Sequence, residues 1–284
     1  MVGINWHPIL QGLEPEKVSF YSNYISKFPY MVFCSGMPRS ASRWSQETCE
    51  ELEKLRTPVD RIDCGYLGEI RISGKGALIV DAFVANAIKK NYGALIFQSH
   101  SFGARVVQII LSGLAKNVYT YRDPRDSIAS IMRKERCEYE PAFDFVYSSL
   151  MMFELFSVDN NSLILPYSET INDPIGTTAK IANYLDFDLT EEQIEKVHLK
   201  TQRLAIDRRN EQRRKSAYSS KDMKIIDQSL QTLYGKPTDA PNIKNPWRYS
   251  SLNKTQYADA TKKLRIWLLK INYSMSPIAP WNCQ

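Results

Sequence analysis

Four short apolar runs constrain the fold of this chain more than any other feature: Tyr30–Ser35 (YMVFCS), Ala94–Gln98 (ALIFQ), Asn117–Tyr121 (NVYTY) and Ser162–Pro166 (SLILP). Each has the length and composition of a buried strand, and helical segments alternate with them. The first is followed by Gly36 and Pro38 and then by a helical pattern from about Ser42 to Arg56. A helix-like stretch, Leu78–Asn91, and a break at Gly93 precede the second. The third leads into Asp123-Pro124, a good N-cap followed by a good first helical residue. After the fourth, Asp173-Pro174 opens a helix to about Leu185, and Thr190 and Gln193 have capping-box spacing. Alternation of this kind predicts an α/β fold, a central parallel sheet with helices on both faces. Ligands of such sheets sit beyond the C-terminal ends of the strands. That directs attention to Gly36–Trp44, Ser99–Gly103, Arg122–Ser130 and Tyr167.

The pattern weakens from about Gln202 to Arg248 apart from a helix near Asp222–Leu233, and an amphipathic helix, roughly Lys254–Ile271, follows. We therefore expect a single domain over 1–284, with about 202–250 as an irregular covering segment. Two acidic stretches, Asp60–Gly76 and Glu135–Phe145, are expected as variable loops alongside the 205–245 region.

Composition narrows the class of protein without choosing its chemistry. Apolar residues make up 43% and charged residues 24%, ordinary for a globular enzyme. The longest apolar run, Val106–Leu111, is too short to cross a bilayer, and MVGINWHPIL lacks the pattern of a secretory signal. No membrane association is expected, and a cytoplasmic location is. The five cysteines form no CxxC pair and read as reduced thiols rather than a zinc site. A net charge of +6 favours anionic partners. The cluster Arg208, Arg209, Arg213, Arg214 and Lys215 lacks the aromatic or glycine interleaving of a nucleic-acid patch. A solvated connection or a basic lid over an anionic ligand accounts for it, and no nucleic-acid partner is expected.

Ser35-Gly36-Met37-Pro38-Arg39-Ser40-Ala41-Ser42-Arg43-Trp44 is the most informative stretch. A small-residue loop passing from a buried strand into a helix gathers unpaired N–H groups and the positive end of a helix dipole at one point. Ser40 and Ser42 can add hydroxyl donors and Arg39 charge-assisted ones. Taken alone, an ordinary strand-to-helix turn with a serine cap explains the same residues. The GxxxxGK[ST] pattern of nucleoside-triphosphate loops is absent. Further on, Arg122 at a strand end and Ser130 eight residues later could clamp a second phosphate. Equally, Arg122 could pair with Asp126 and Ser130 could be packing. Between these stretches lies His100, one of only three histidines.

Pro38–Trp44 resembles the P-[KR]-S-[GA]-[ST]-x-[WL] loop of sulfotransferases that use 3′-phosphoadenosine 5′-phosphosulfate (PAPS), and YRDPRDSIAS resembles their R-[ND]-P-[RK]-D-x-x-x-S motif. The resemblance implies a P-loop-like sulfotransferase fold. It implies that Arg39 contacts the bridging oxygen and 5′-phosphate. Ser40, Ala41, Ser42 and Arg43 would line the phosphosulfate, and Trp44 would pack near the adenine. Arg122 and Ser130 would take the 3′-phosphate. Gln98-Ser99-His100 is similar to the family's K-[TS]-H segment, which makes His100 the general base and puts Gln98 where the family has lysine; Arg43 is expected to compensate for the lost charge. A third block, Leu165 to Leu185, brings Tyr167 towards the nucleotide, with Asp173-Pro174 structural. Asn242–Arg248 is only weakly similar to the family's closing segment, so Lys244, Arg248 and the 208–215 cluster are lid candidates. The implied product is adenosine 3′,5′-bisphosphate (PAP), with no metal. The acceptor is expected to be a small molecule, and the acidic residues Asp63, Glu69, Glu135, Glu138 and Glu140 make a cationic or guanidinium-bearing one, as in natural-product tailoring, conceivable. A nucleotide kinase and a non-catalytic PAP-binding relative are the alternatives. Monomer and homodimer stay open.

Overall fold

The computed structural model describes residues 30–66, 89–100, 103–111, 113–159, 161–202 and 251–273. All four apolar runs are strands, within a residue of the expected ends: β1 (Tyr30–Gly36), β3 (Ala94–Ser99), β4 (Lys116–Tyr121) and β5 (Ser162–Pro166). A fifth strand, β2 (Ile62–Tyr66), pairs with β3 in parallel at one edge. The acidic stretch 60–76, expected as a loop, therefore begins as sheet. Gly65 and the acidic Asp63 hid an edge strand that only its pairing partner defines.

All pairings are parallel, in the order β2-β3-β1-β4-β5. From β1 the chain passes to the edge strand β2, returns through β3 beside β1, and then crosses to β4 and β5 on the other side. The strand order therefore reverses beside β1, where open α/β sheets form their ligand crevice. Side chains alternate between two cores. Met31, Phe33, Leu95, Phe97 and Tyr119 face one cluster, while Val32, Cys34, Ile96 and Val118 face the other. Phe33 and Phe97 sit with ring centroids 5.9 Å apart, and truncating either buried ring to alanine costs about 3–5 kcal/mol.

The helices divide between these faces. α1 (Ser42–Glu53), α6 (Pro174–Tyr184) and α7 (Glu191–Thr201) cover the second core. The first is covered by α2 (Ala104–Leu111), α3 (Pro124–Glu135), α4 (Tyr139–Ser157), α8 (Lys254–Lys263) and α9 (Arg265–Lys270). A single turn and a half, α5 (Tyr167–Asn172), leaves β5 directly.

Local signals set the helix starts. Asp123 accepts from Arg125 N–H, Asp173 accepts from Gly176 N–H, and Thr190 with Gln193 forms the capping box. Two expectations need correction. Residues 139–145, expected in a loop, open the 19-residue α4, whose Tyr139, Ala142, Phe143, Val146 and Leu150 recur at helical spacing and are buried. The C-terminal helix is interrupted at Leu264, which ends α8 and caps α9. The stretches 78–88 and 203–250 lie outside the described residues.

Arg125 ties the C-terminal part of the chain to the start of α3. Its guanidinium meets Asp123 in two bonds of 3.0 and 2.7 Å and donates to Thr261 Oγ1 at 3.3 Å. With both partners 1% exposed, this is a desolvated bidentate pair, and truncating one member would strand the other.

Candidate active site

The C-terminal end of β1 approaches β4 so closely that only glycine fits. A Cβ on Gly36 would lie 2.3 Å from Thr120 Oγ1 and 2.5 Å from the Thr120 carbonyl. Immediately after it, Met37 N–H donates to the Thr120 carbonyl at 2.9 Å. The loop then takes two left-handed residues, Arg39 (φ 67°) and Ala41 (φ 78°). Ala41 is the N-cap of α1 and supplies no side-chain cap. Ser45 N–H donates to the Ala41 carbonyl at 3.0 Å across the first turn, which leaves the N–H groups ahead of it without an intrahelical acceptor. An uncapped helix start beside alternating left-handed residues is a cradle for an anion.

Ser40 holds that shape from inside. Its hydroxyl is fully buried, 2.6 Å from the Met37 carbonyl, 2.8 Å from the Thr120 carbonyl and 2.7 Å from Thr120 Oγ1. Sequence reasoning put this hydroxyl on the ligand; in the fold it pins the loop to β4. Ser42, by contrast, accepts from Gln98 Nε2 at 3.1 Å. Arg43, expected to replace the charge of the missing lysine, is paired within α1, with Nη2 2.8 Å and Nε 3.2 Å from Glu47 Oε1. Trp44 is half-buried against the second core.

The other basic motif lies against this loop. Arg39 Nε donates to Ser130 Oγ at 3.1 Å, across 91 residues of sequence. Arg122 Nη1 donates to the Arg39 carbonyl at 3.0 Å, and Ser127 Oγ donates to the Pro38 carbonyl. Arg122 also pairs with Asp126 at 3.1 Å and stacks its guanidinium 4.6 Å from the centre of the Tyr167 ring. Its Nε is buried and meets no acceptor among the described residues. A charge-assisted donor left unsatisfied in this way fits an anionic ligand. Burial, then the neighbouring Arg122 cation, pulls the Arg39 guanidinium below its usual range. Two cations held that close are stabilised by whatever negative charge is placed between them.

His100 follows β3, half-buried. Its Nδ1 lies 3.1 Å from the Gly36 carbonyl, which can only accept, so Nδ1 carries the hydrogen and Nε2 keeps its lone pair. Phe145 of α4 meets the imidazole edge-on, centroids 5.9 Å apart. Burial lowers its pKa to about 4, against the Gly36 bond and with help from Lys134 and Arg39. The imidazole is therefore neutral at pH 7 and able to accept a proton.

The fold thus brings together Arg39, Ser40, Ala41, Ser42, Arg122, Ser130, Tyr167 and His100. It leaves Arg43 engaged on the helix. Sequence reasoning missed Ser127 and Phe145 as neighbours of the site; the helical spacing of apolar residues through α4 carried the signal for the second. Lys244, Arg248 and 208–215 lie outside the described residues. Among the described residues no group of acids, cysteines and histidines could hold a metal ion, and no helix is long and apolar enough to cross a membrane.

A family model described as a sulfotransferase domain matches residues 16–236. Among solved structures, a retinol dehydratase complexed with retinol and PAP superposes with TM-score 0.52 at 15% identity, covering 89% of this chain and 86% of that one. Retinol dehydratase with androsterone and inactive cofactor PAP gives 0.50 at 15%, covering 88% and 84%. A mouse sulfotransferase complexed with PAP gives 0.47 at 17%, covering 65% and 70%. No curated protein matches the chain.

Proposed function

Because the chain belongs to the sulfotransferase family, we propose that it moves a sulfuryl group from PAPS to a hydroxyl or amine of a small-molecule acceptor. The observation that carries this reading is the contact between two anion motifs distant in sequence, Arg39 with Ser130 and Arg122 with the Arg39 carbonyl. One adenine nucleotide phosphorylated at both its 3′ and 5′ positions needs two anion sites so coupled. The PAP held by the retinol dehydratase structures supports the same donor by analogy.

In this reading Arg39 and the N–H groups opening α1 face the 5′-phosphosulfate, with Ala41, Ser42 and Arg43 along it and Trp44 towards the adenine. Arg122 and Ser130 take the 3′-phosphate, with Tyr167 beneath Arg122. Ser40 acts by holding the loop. The acceptor oxygen or nitrogen bonds to sulfur as the sulfur–oxygen bond to the 5′-phosphate breaks, and His100 Nε2 takes the acceptor's proton. Arg39 and the loop stabilise negative charge growing on the leaving oxygen. An imidazole drawn down to about 4 is always ready to accept a proton but is a weak base. Negative charge placed between His100 and the cations Arg39 and Lys134 offsets them and strengthens it.

The finer reading is a cationic acceptor, as in natural-product tailoring. It is supported by α4, which carries Phe145 against His100 and, about 9 Å earlier along its axis, Tyr139 and Glu140. With Glu138 and Asp259 these line an acidic cavity of about 330 Å³. A cytoplasmic, single-domain enzyme over 1–284 completes the reading.

The test is a thermal-shift comparison of PAP with ATP–Mg²⁺, followed by transfer from labelled PAPS to a panel of hydroxylated, amino and guanidino metabolites. Stabilisation by PAP with labelled product supports the reading. Stabilisation by ATP–Mg²⁺ alone makes the protein a phosphotransferase, and PAP binding without product for any acceptor makes it a non-catalytic relative.

A further inference from the structure

Gln98 is the site residue whose chemistry departs furthest from the motif it occupies, and its surroundings are specific. It is the penultimate residue of β3, is 5% exposed, and lies between the loop serine and the histidine. Its Nε2 is 3.1 Å from Ser42 Oγ and 3.4 Å from His100 Nε2. A side-chain amide nitrogen carries two hydrogens, so one group serves both partners. The consequences for each are fixed by valence. Ser42 Oγ accepts from Gln98 and keeps its own hydrogen to donate elsewhere. His100 Nε2 accepts as well, consistent with the hydrogen on Nδ1 facing the Gly36 carbonyl.

Resting on the sulfuryl-transfer reading, we propose that Gln98 is a positioning residue that couples the protonation of His100 to the hydrogen-bond direction of Ser42. While His100 is neutral, the Gln98 amide donates to both partners, and the Ser42 hydrogen is free for the anion in the cradle. The acceptor displaces the Gln98 N–H from the single Nε2 lone pair when it delivers its proton there. Once product has left, the Nε2–H points back at Gln98, and two donors would face each other. Turning the amide by half a revolution presents Oε1 instead, which accepts from His100 Nε2–H and from Ser42 Oγ–H together. Ser42 then withdraws its hydrogen from the cradle in the step that leaves product behind. A lysine at this position has three donors and no acceptor, so it could not reverse in this way. It would also add a cation to those already facing His100, namely Arg39 of the cradle loop and Lys134 of α3.

The proposal is read without any acceptor, from histidine resonances of isotopically labelled full-length protein. With three histidines in the chain, His100 is assigned by its absence in His100→Gln. Wild type is expected to show the Nδ1–H tautomer. Gln98→Glu, nearly isosteric and a permanent acceptor, should raise the His100 midpoint by about one pH unit or more. It should also weaken PAP binding about 10-fold, because Ser42 now donates to the carboxylate. Gln98→Met keeps the volume but removes the donor to Nε2, while the Gly36 carbonyl still holds the hydrogen on Nδ1. The tautomer should therefore persist while the His100 midpoint rises, by less than in Gln98→Glu; a purely space-filling role would produce no rise. An unmoved midpoint in Gln98→Glu, or in Gln98→Met, overturns the bridge. Either variant alone decides the matter if the other fails to fold. Failure of PAP to stabilise wild type would instead count against the donor reading, and the histidine spectra do not depend on it.

Discussion

The cradle after β1 and the anchor after β4 converge on one point but are built in opposite ways. The cradle presents main chain: left-handed backbone at Arg39 and Ala41, an uncapped helix start, and a buried serine turned inward to hold the shape. The anchor presents side chains around a regular helix: Arg122 just ahead of it, braced by Asp126 and Tyr167, and Ser130 buried on α3 itself. A site made of backbone is bound to the stability of the fold, whereas a site made of side chains can be emptied without disturbing it. Mutations in the two regions should therefore separate stability from binding differently.

The largest effect is expected in neither region. If cradle and anchor only hold the donor, removing the base between them must spare binding. His100→Ala should lower turnover by about 10²–10⁴-fold while the PAP-induced thermal shift persists. Turnover near wild type would return the proton transfer to one of the two regions.

Next come the two arginines. Arg39→Asn retains a residue tolerant of positive φ, and Arg122→Gln retains hydrogen-bonding capacity. Each should weaken PAP binding about 10- to 100-fold, as for a lost charge-assisted bond, and in Arg39→Asn the melting temperature of the free protein should stay unchanged or rise. The rise is expected because burial and the Arg122 cation both act against a charged Arg39. Loss of stability in step with affinity, measured by calorimetry and differential scanning on the same samples, would erase the distinction.

These contrasts also explain what could be read from the sequence. Strands β1, β3, β4 and β5 were legible because buried parallel strands are continuous apolar runs, and the helix starts because Asp123, Asp173 and Thr190 cap in a local way. Arg122 and His100 follow strand ends and Ser130 lies on the next helix, but residue type alone left all three open, and the resemblance singled them out. The inward turn of Ser40 was not, since its partner Thr120 lies 80 residues away and a serine in a loop carries no mark of which way it faces. The pairing of Arg43 is the opposite case: Glu47, four residues on, was a helical partner in plain view. β2 was lost because its strand character comes from pairing with β3 rather than from its own residues.

A pH series tests whether the pocket between the two regions holds His100 neutral, chiefly by burial and with help from Lys134 of one region and Arg39 of the other. The folded-state pKa lies near 4 against 6.5 for a free histidine, so between these values the unfolded chain binds the proton and the folded one does not. Stability should therefore fall as pH drops from 6.5 to 4, by up to about 1.4 kcal/mol per unit from this group. Thermal denaturation of His100→Gln should show a shallower decline over that window. Parallel curves would mean that His100 is not held neutral.

Ser40→Ala removes a hydroxyl with three oxygen neighbours and should cost about 1–3 kcal/mol of stability, with PAP affinity falling alongside. That joint loss is the signature of a backbone site, and an unchanged melting temperature would show that the loop holds its shape without Ser40.

Ala41→Gly probes the same backbone with the smallest change. A left-handed alanine costs roughly 1–2 kcal/mol relative to right-handed backbone, while glycine there is free of the steric cost but loses more entropy on folding. The two terms nearly offset, leaving a net gain of up to about 1 kcal/mol and a rise of about 2–4 °C in melting temperature for a chain of this size. PAP affinity should fall slightly at the same time, because a glycine cradle is less ordered before the anion arrives. Stability up and affinity down in one substitution would contrast with the joint loss in Ser40→Ala at the adjacent position. It would show that shape, rather than any side chain at residue 41, is what the cradle contributes. A melting temperature lowered by Ala41→Gly would mean that the left-handed turn is set by its neighbours at no cost to Ala41, and the strain would have to be sought at Arg39 instead.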